Sequence, residues 1–348
     1  MPRLPQQDLE HILSHTQGLW EPLREQSIFL TGGTGFVGTW LLESLLWAND
    51  KLDLRVSVVV LTRNPRRFRE QAPHLADHPA VRLIEGEAAS FEYPTGAFPY
   101  VIHAAMEPAF EPDAERPLGA FASTVDGTRR VLEFARTHGV RRFLFTSSGA
   151  VYGKQPSQMT HIAEDYAGAP STTDMNTVYG QAKRVSEFMC AMYGRVYGFD
   201  ATIPRLFAFV GPLLPLDSNF AVGNFIRDVL RGGPVRIAGD GTPYRSYLYA
   251  ADLAIWLWTI LFRGKAAYPY NVGSPNDLTI ADLAQTVVRV TGPETRIEIA
   301  RQPAPGEPPL RYVPRTTRAE EQLGLSPRIP LAEGIRRTFE WHRAGDIR

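Results

Sequence analysis

The sequence predicts an α/β protein whose main body is a Rossmann-like doubly wound parallel sheet, followed by a smaller C-terminal lobe. The first observation is a regular alternation of apolar, strand-like runs with helix-like segments of about 10–20 residues. The second is the β-branched run 55–62 (RVSVVVLT), which is too apolar for an edge strand and suits a parallel strand buried on both faces. The third is a glycine-rich loop that joins the strand beginning at Ser27 to the helix after it.

Three segments are predicted along the chain. Residues 1–26 form a helical preface, because apolar residues recur there at helical spacing. Residues 27–210 carry the strand–helix alternation and form the Rossmann domain. Residues 211–348 form the smaller lobe, since proline and glycine become more frequent and short elements replace the alternation. The boundary near 210 is expected to be soft, with strands that interweave between the lobes.

Composition and charge argue against several classes of function. The 348 residues are 44% hydrophobic, and 37 Lys and Arg balance 37 Asp and Glu. A formal net charge of zero gives no electrostatic basis for binding nucleic acid or an anionic membrane. The start of the sequence is too polar for a secretory signal, and no apolar stretch reaches the length of a transmembrane helix. We therefore expect a cytoplasmic protein.

Cysteine and histidine usage predicts neither a disulfide nor a metal site. Cys190 is the single cysteine, and it lies among apolar residues of a predicted helix, so we expect a core thiol. A lone thiol fits a reducing compartment. His11 and His15 are four residues apart but have no third ligand in the pattern, so no metal is predicted.

The glycine loop predicts a dinucleotide site. In TGGTGFVG, glycines recur every third residue directly between a strand and a helix. The first permits a tight turn, the second lets a pyrophosphate approach the backbone, and the third allows close packing of the helix. The helix N-terminus adds free N–H groups and a positive dipole end. The residues predicted to bind the dinucleotide here are Gly32, Gly35, Phe36, Val37 and Gly38.

The residue after the second strand predicts which dinucleotide binds. NAD sites usually place an acid there for the ribose 2′-hydroxyl, whereas this sequence has Arg63. A guanidinium pairs well with a 2′-phosphate, so NADP is favoured, with NAD as the alternative. The competing interpretation of Arg63 is a solvated basic loop, because further arginines follow it.

A tyrosine and a lysine indicate proton transfer. Tyr179 and Lys183 lie four residues apart on a predicted helix, which places them one turn apart on one face. A lysine beneath a phenol favours the phenolate and lowers its pKa towards the working range. Such a tyrosine exchanges a proton with a hydroxyl or ketone while a hydride moves to or from a nicotinamide. A tyrosine and a lysine at this spacing often occur by chance. The pair is significant here because it follows the glycine loop and Ser148 of TSSGAVYG in the chain.

In this order the three motifs resemble the extended short-chain dehydrogenase/reductase family, in particular its nucleotide-sugar epimerase/dehydratase group. The resemblance covers nearly the whole chain after residue 26. It implies that Tyr179 is the catalytic acid/base, that Lys183 binds the nicotinamide ribose and tunes Tyr179, and that Ser148 bonds the reacting oxygen.

The resemblance implies further contacts with cofactor and substrate. Ala104 and Ala105, which follow His103, would run along the cofactor, and Glu87 would lie near the adenine where the family has an aspartate. Gly149, beside Ser148, would line the substrate site.

The C-terminal lobe would bind the substrate, a nucleotide-diphosphate sugar. Arg245, in GDGTPYRSYLYAADLA, would contact its diphosphate, with Arg301 or Arg311 as a second contact. The family often forms two-fold dimers through the helix of Tyr179 and a helix at 121–138, so a homodimer is expected.

Three departures from the family pattern narrow the chemistry. Thr124 replaces an asparagine of a helix signature, which puts a water relay through that position in doubt. Ala208 replaces an asparagine expected to touch substrate, and a methyl offers no hydrogen bond. Gly149 and Ala150 stand where the 4,6-dehydratases have Asp-Glu and the decarboxylases tend to have a glutamate. Neither residue can transfer a proton, so both eliminations are disfavoured.

Two reactions remain natural, an NAD(P)-dependent nucleotide-sugar epimerase and a 4-keto-sugar reductase. Resemblance favours the epimerase, and Arg63 favours the reductase, because it suggests an external NADPH. One alternative is an NADPH-dependent ketone reductase of the dihydroflavonol or hydroxysteroid type, which would not need Arg245. Another is a non-catalytic dinucleotide-binding protein, but such proteins typically lose Tyr179 or Lys183.

Overall fold

A computed structural model of the chain describes residues 1–105, 116–218 and 220–346. The strands of its largest sheet are β1 (Ser27–Thr31), β2 (Ser57–Thr62), β3 (Val81–Glu85), β4 (Tyr100–His103), β5 (Arg142–Phe145), β6 (Ser147–Ser148), β7 (Asp200–Leu206) and β12 (Pro269–Val272). Their order across the sheet is β3-β2-β1-β4-β5-β7-β12, with β6 paired to β7. The pairs from β3 across to β7 are parallel, and so is the β6–β7 pair. The fold class predicted from the sequence is therefore confirmed.

Helices connect these strands and continue to the C-terminus. They are α1 (Gln6–His15), α2 (Phe36–Leu52), α3 (Pro65–Gln71), α4 (Pro73–Ala76), α5 (Arg116–Thr137), α6 (Val178–Tyr197), α7 (Ala221–Leu230), α8 (Ala250–Arg263), α9 (Ile280–Thr291), α10 (Thr317–Leu323) and α11 (Leu331–Asp346). Single 3₁₀ turns lie at Glu21–Leu23, Gly149–Tyr152 and Met175–Thr177. None of the helices in the described ranges is long and apolar enough to cross a membrane.

A cluster of buried aromatic side chains packs against one face of the central strands. Phe29 on β1 is fully buried and stacks on Phe91 at 5.3 Å between ring centroids, with Phe134 of α5 at 4.6 Å. In the β1–β2 register, Phe29 pairs with Val59, which is also buried. Each such ring contributes about 2–3 kcal/mol by burial. This packing fixes the carboxyl ends of the central strands, where ligands bind in open α/β sheets.

The chain divides into two compact units, and each unit is built from three separate segments of the chain instead of the residues on one side of a boundary near 210. The first contains Met1–Gly153, Ala167–Leu206 and Ala254–Tyr270, and the second contains the remainder. The preface belongs to the first unit, where the amide of Leu4 donates to Glu43 on α2. Most of α8 also belongs there, because Trp258 is buried and its indole nitrogen donates to Ser44 at 2.9 Å.

Short sheets characterise the second unit. Its strands are β8 (Phe209–Val210), β9 (Val235–Ile237), β10 (Tyr244–Ser246), β11 (Leu248–Tyr249), β13 (Asp277–Thr279), β14 (Ile297–Ile299) and β15 (Arg311–Tyr312). β10 lies between antiparallel β13 and parallel β15, while β11 pairs with β8 and β14 with β9. Each of these strands has two or three residues.

Candidate active site

The glycine loop lies at the carboxyl end of β1 and is packed against the end of β4. Gly32 has φ +72°, and a Cβ on it would come within 2.4 Å of the carbonyl carbon of Ala104 and the amide nitrogen of Ala105. A Cβ on Gly38 would come within 2.0 Å of the carbonyl oxygen of Gly32. These two positions therefore need glycine for the fold itself, because no side chain fits at such distances.

Packing within the protein does not require a glycine at position 35. A Cβ there would meet nothing closer than the carbonyl oxygen of Gly32 at 3.5 Å, an ordinary contact. Gly35 is the N-cap of α2, whose first-turn amides, including those of Phe36 and Val37, have no carbonyl partner within the helix. A bare backbone at the positive end of a 17-residue helix fits a pyrophosphate group. On this observation the loop fits a dinucleotide.

A buried chain of hydrogen bonds ties β1 to β4 below the loop. His103 Nδ1 lies 2.7 Å from Thr31 Oγ1, and its Nε2 lies 3.2 Å from Thr128 Oγ1. Thr128 donates to the carbonyl of Thr124 at 2.8 Å, and Thr31 accepts from the amide of Ala105 at 3.2 Å. Burial lowers the pKa of His103 to about 3, so the ring is neutral and is held by a donor on one side and an acceptor on the other.

The residues predicted to select the dinucleotide lie at the ends of the next strands. Arg63 follows β2 directly and is exposed. Asn64 caps α3 by accepting from the amide of Arg67 at 2.8 Å, so α3 starts immediately after Arg63. Glu87 is exposed two residues beyond the end of β3, and the amide of Gly86 donates to Thr62. Arg63 and Glu87 therefore both lie just beyond the carboxyl ends of these neighbouring strands.

Tyr179 and Lys183 lie one turn apart at the start of α6, as the spacing predicts. Lys183 is 1% exposed, its ammonium donates to the carbonyl of Thr146 at 2.6 Å, and it lies 4.5 Å from the centre of the Phe145 ring. Burial lowers the pKa of Lys183 to about 8, although Cys190 and Glu187 act in the opposite direction. Tyr179 is half-buried. The helix thus carries a fixed, buried cation one turn after a half-buried phenol.

Ser148 ends β6 and begins the loop of the candidate site. Its hydroxyl is buried and accepts from the amide of Ala150 at 3.1 Å, which starts the 3₁₀ turn Gly149–Tyr152. Gly149 is buried and Ala150 is half-buried. This loop therefore offers a hydroxyl at Ser148 and no carboxylate at the two positions that follow.

One residue of this region was missed in the sequence. A Cβ on Gly180 would lie 2.5 Å from the carbonyl oxygen of Ala150. The absent side chain therefore lets α6 approach the 3₁₀ turn closely, one residue after Tyr179. The signal was present in the sequence as a glycine directly after the tyrosine, but its reason is a tertiary contact.

The predicted phosphate-binding arginines lie in the second unit. Arg245 on β10 is half-buried, donates to the carbonyl of Tyr244 at 2.8 Å, and lies 5.9 Å from the centre of the Tyr312 ring. Arg311 donates to Asp277 at 2.8 Å and stacks at 3.9 Å over Tyr244. Arg311 is thus engaged by a carboxylate, which makes Arg245 the better candidate for an anionic ligand.

Comparison with known proteins shows the family. The model of the NAD-dependent epimerase/dehydratase family matches residues 28–273. UDP-glucuronic acid decarboxylase 1 of Arabidopsis thaliana is 30% identical over 313 residues, which are 89% of this chain and 68% of that protein.

This chain belongs to the NAD-dependent epimerase/dehydratase family. The resemblance drawn from the motifs is therefore confirmed, together with the Rossmann fold.

Solved structures of the family share the fold. UDP-glucose 4-epimerase of Thermotoga maritima, determined with UDP-glucose, has a TM-score of 0.76 and 23% identity, covering 92% of this chain and 99% of that one. A dTDP-glucose 4,6-dehydratase of Streptomyces venezuelae, determined with NAD, has a TM-score of 0.74 and 25% identity, covering 92% and 97%. These relatives carry out three different reactions, so membership of the epimerase/dehydratase family leaves the reaction to be argued from the site.

Two further features of this family member bear on its chemistry. Cys190 is buried on α6, and burial raises its pKa far above the usual range, as expected of a core thiol and not of a nucleophile. Across the described parts of the chain, no group of three His, Cys, Asp or Glu side chains is placed to hold a metal ion.

Proposed function

We propose that the protein moves a hydride at a hydroxyl-bearing carbon of a nucleotide-diphosphate sugar, and that it does so as an epimerase. The observation that carries the proposal is the composition of one loop beside one helix. Ser148, Tyr179 and Lys183 supply the hydroxyl, the phenol and the cation that such a reaction needs. Gly149 and Ala150 supply no group that could remove water or assist loss of a carboxylate.

Each residue has a role that follows from its position. Bound NAD(P) would supply the acceptor and donor of the hydride. Tyr179 would take the proton of the substrate hydroxyl and later return it. Lys183, held as a cation by the Thr146 carbonyl, favours the ionised form of that phenol. Ser148 would hydrogen-bond the reacting oxygen, and Arg245 would hold the diphosphate.

The same loop argues against the reaction of the decarboxylase relatives. A dehydratase needs an acid or base besides the tyrosine, because a C–O bond breaks and the leaving oxygen must be protonated. The decarboxylases of the family tend to carry a glutamate in the same loop. Ala150 carries a methyl group at the position where a glutamate is expected, and no change of rotamer can supply a proton there. Identity near 30% with a decarboxylase is therefore compatible with a different reaction, in which both proteins oxidise the sugar but only the relative then removes a carboxylate.

A 4-keto-sugar reductase is the second candidate, and Arg63 is the observation that favours it. An exposed guanidinium at the carboxyl end of β2 suits the 2′-phosphate of NADPH. A reductase consumes NADPH once per turnover, whereas an epimerase regenerates its dinucleotide and keeps it bound.

Denaturing the purified protein and identifying any released dinucleotide by mass spectrometry tests the choice. Bound NAD in near-stoichiometric amount, with turnover that needs no added dinucleotide, supports the epimerase. An empty protein that requires added NADPH overturns it in favour of the reductase.

We further propose that two copies associate through α6. This helix leaves a row of large apolar side chains exposed at spacings of three and four residues, with Phe188 at 65% and Val196 at 70% exposure. Val185 and Met192 lie on the same row. A two-fold axis brings the same row from two copies together, and a self-complementary apolar face suits such pairing.

A further inference from the structure

A buried carboxylate continues the catalytic face of α6. Tyr179, Lys183 and Glu187 recur every four residues, so they form one stripe on the helix. Glu187 is 9% exposed, and it accepts hydrogen bonds from Ser147 and Arg205. A carboxylate at this depth needs such partners, because an unpaired buried charge is strongly destabilising. The stripe therefore links the predicted catalytic pair to groups on the sheet.

The contact between Glu187 and Arg205 is a two-pronged ion pair. Nε of Arg205 lies 2.9 Å from Oε1 of Glu187, and Nη2 lies 2.7 Å from Oε2. Burial by itself would lower the pKa of Arg205, but the hydrogen bonds and charge of Glu187 outweigh it and raise this pKa. The planar guanidinium fixes the orientation of the carboxylate in a way that a lysine cannot.

Arg205 also holds the loop that carries Ser148. Ser147 and Arg205 are direct partners in the parallel β6–β7 register, so their side chains lie on the same face, and both reach Glu187. Successive side chains of a strand alternate, so this contact turns Ser148 to the opposite face. The guanidinium of Arg205 lies 4.7 Å from the centre of the Tyr152 ring, at the end of the 3₁₀ turn. Both ends of the segment 147–152 are thereby attached to Arg205.

We propose that Glu187 and Arg205 are positioning residues, which lock the Ser148 segment to the helix that carries Tyr179 and Lys183. The proposal rests on the function proposed above, since that function gives Ser148 and Lys183 their roles. Neither Glu187 nor Arg205 is proposed to touch the reacting atoms. They act by fixing where the hydroxyl and the ammonium stand, where displacements of about 1 Å cost on the order of a hundredfold in rate.

Glu187 also bears on the charge of Lys183. The titratable groups that interact electrostatically with the ammonium are Glu187 and Cys190 on α6 and neutral His103 on β4. Tyr179 lies one helical turn before Lys183. Glu187 opposes the lowering of the Lys183 pKa by burial, so its charge helps to keep Lys183 protonated near neutral pH.

Direct titration of Lys183 by NMR tests this link without any substrate. The chain has four lysines, namely Lys51, Lys154, Lys183 and Lys265, and only Lys183 is buried. Protein labelled with ¹³C at the lysine ε-carbon would give few signals, and Lys183→Met identifies the one sought. In Glu187→Gln the midpoint of Lys183 is expected to move to lower pH. Glu21→Gln is the matched control, since Glu21 forms an exposed two-pronged pair with Arg24. An unchanged midpoint in Glu187→Gln overturns the link between Glu187 and the charge of Lys183.

Arg205→Lys tests the positioning role, because it removes the planar two-pronged contact with Glu187 and keeps the positive charge. It is expected to leave the Lys183 midpoint in place and to lower kcat on any accepted nucleotide sugar about ten- to a hundredfold, with KM little changed. A kcat equal to that of the wild type in Arg205→Lys overturns the positioning role. This test does not depend on Glu187→Gln, so it can be made even if that variant does not fold. If the wild-type protein accepts no nucleotide sugar, the proposed function fails, and dinucleotide reduction with any accepted alcohol then supplies the kcat comparison.

Discussion

The ammonium of Lys183 lies 2.6 Å from the carbonyl oxygen of Thr146, one residue before β6 begins. This bond joins α6 to the residue that follows β5, so the charge is held by the backbone of the segment that leads to Ser148. Water is excluded, since Lys183 is 1% exposed. A cation in such a position stabilises a neighbouring phenolate more strongly than it would in water.

The burial of Lys183 makes stability depend on pH. Its pKa is about 8 in the folded protein against a reference value of 10.5. Between these values the unfolded chain binds more protons than the native one, so native stability rises with pH in this window. Relative to Lys183→Met, the wild-type free energy of unfolding should rise by roughly 3 kcal/mol from pH 8 to 10.5, as measured by urea unfolding. Lys154→Met, at an exposed lysine, should track the wild type, and a constant difference for Lys183→Met would contradict the burial argument.

Tyr179→Phe should abolish turnover and leave dinucleotide binding intact. The variant loses one hydroxyl and keeps the ring, so the fold and the cofactor loop are undisturbed. Loss of a positioned acid/base lowers kcat by about 10²–10⁴-fold. Turnover assays and a fluorescence titration with dinucleotide measure the two effects. Equal activity in the variant would remove Tyr179 from the mechanism.

Arg63→Ala should weaken NADPH binding and spare NADH binding. A charge-assisted contact to the 2′-phosphate contributes about 1.5–3 kcal/mol, which corresponds to roughly a ten- to hundredfold loss of affinity. Arg66→Ala is the control, because Arg66 lies on α3 and pairs with Glu70 at 3.4 Å. Calorimetric titration with both dinucleotides gives the comparison. Identical affinities in Arg63→Ala and wild type would show that no 2′-phosphate site exists there.

Phe188→Glu should dissociate the proposed dimer. A carboxylate in the centre of a self-paired apolar row would face its own copy across the two-fold axis, which adds repulsion to lost burial. Light scattering coupled to size-exclusion chromatography should report a dimer for the wild type and a monomer for the variant. Leu52→Glu, at an exposed leucine on the last turn of α2, should remain dimeric. A wild-type monomer would refute the proposal.

Local patterns were sufficient to predict the fold and the elements that carry the site. The β-branched run became the buried strand β2, the glycine loop lies between β1 and α2, and Tyr179 and Lys183 share one face of α6. These outcomes depend on neighbours within a few residues, where side-chain periodicity and backbone freedom decide the structure. The burial predicted for Cys190, from its apolar neighbours, is of the same kind.

Contacts between distant segments could not be predicted. Glu187 and Arg205 are 18 residues apart and meet only because β7 pairs with β6 beside α6. Gly180 is required by a carbonyl 30 positions earlier, at Ala150. The assignment of most of α8 to the first unit could not be predicted either. The apolar residues of α8 indicate that the helix is buried, but they do not indicate which unit buries it.

The mass of the reaction product distinguishes hydride transfer from loss of water or carbon dioxide. The purified protein is incubated with a panel of UDP- and dTDP-sugars, including UDP-glucuronic acid, with and without NAD, NADPH and NADP, and the products are analysed by liquid chromatography with mass spectrometry. An epimerase yields from at least one sugar a product of unchanged mass that chromatography separates from the substrate, and a reductase yields a product with two added hydrogens from a keto sugar with NADPH. A product lighter by water or by carbon dioxide would contradict the proposed function, because Gly149 and Ala150 would then not prevent elimination.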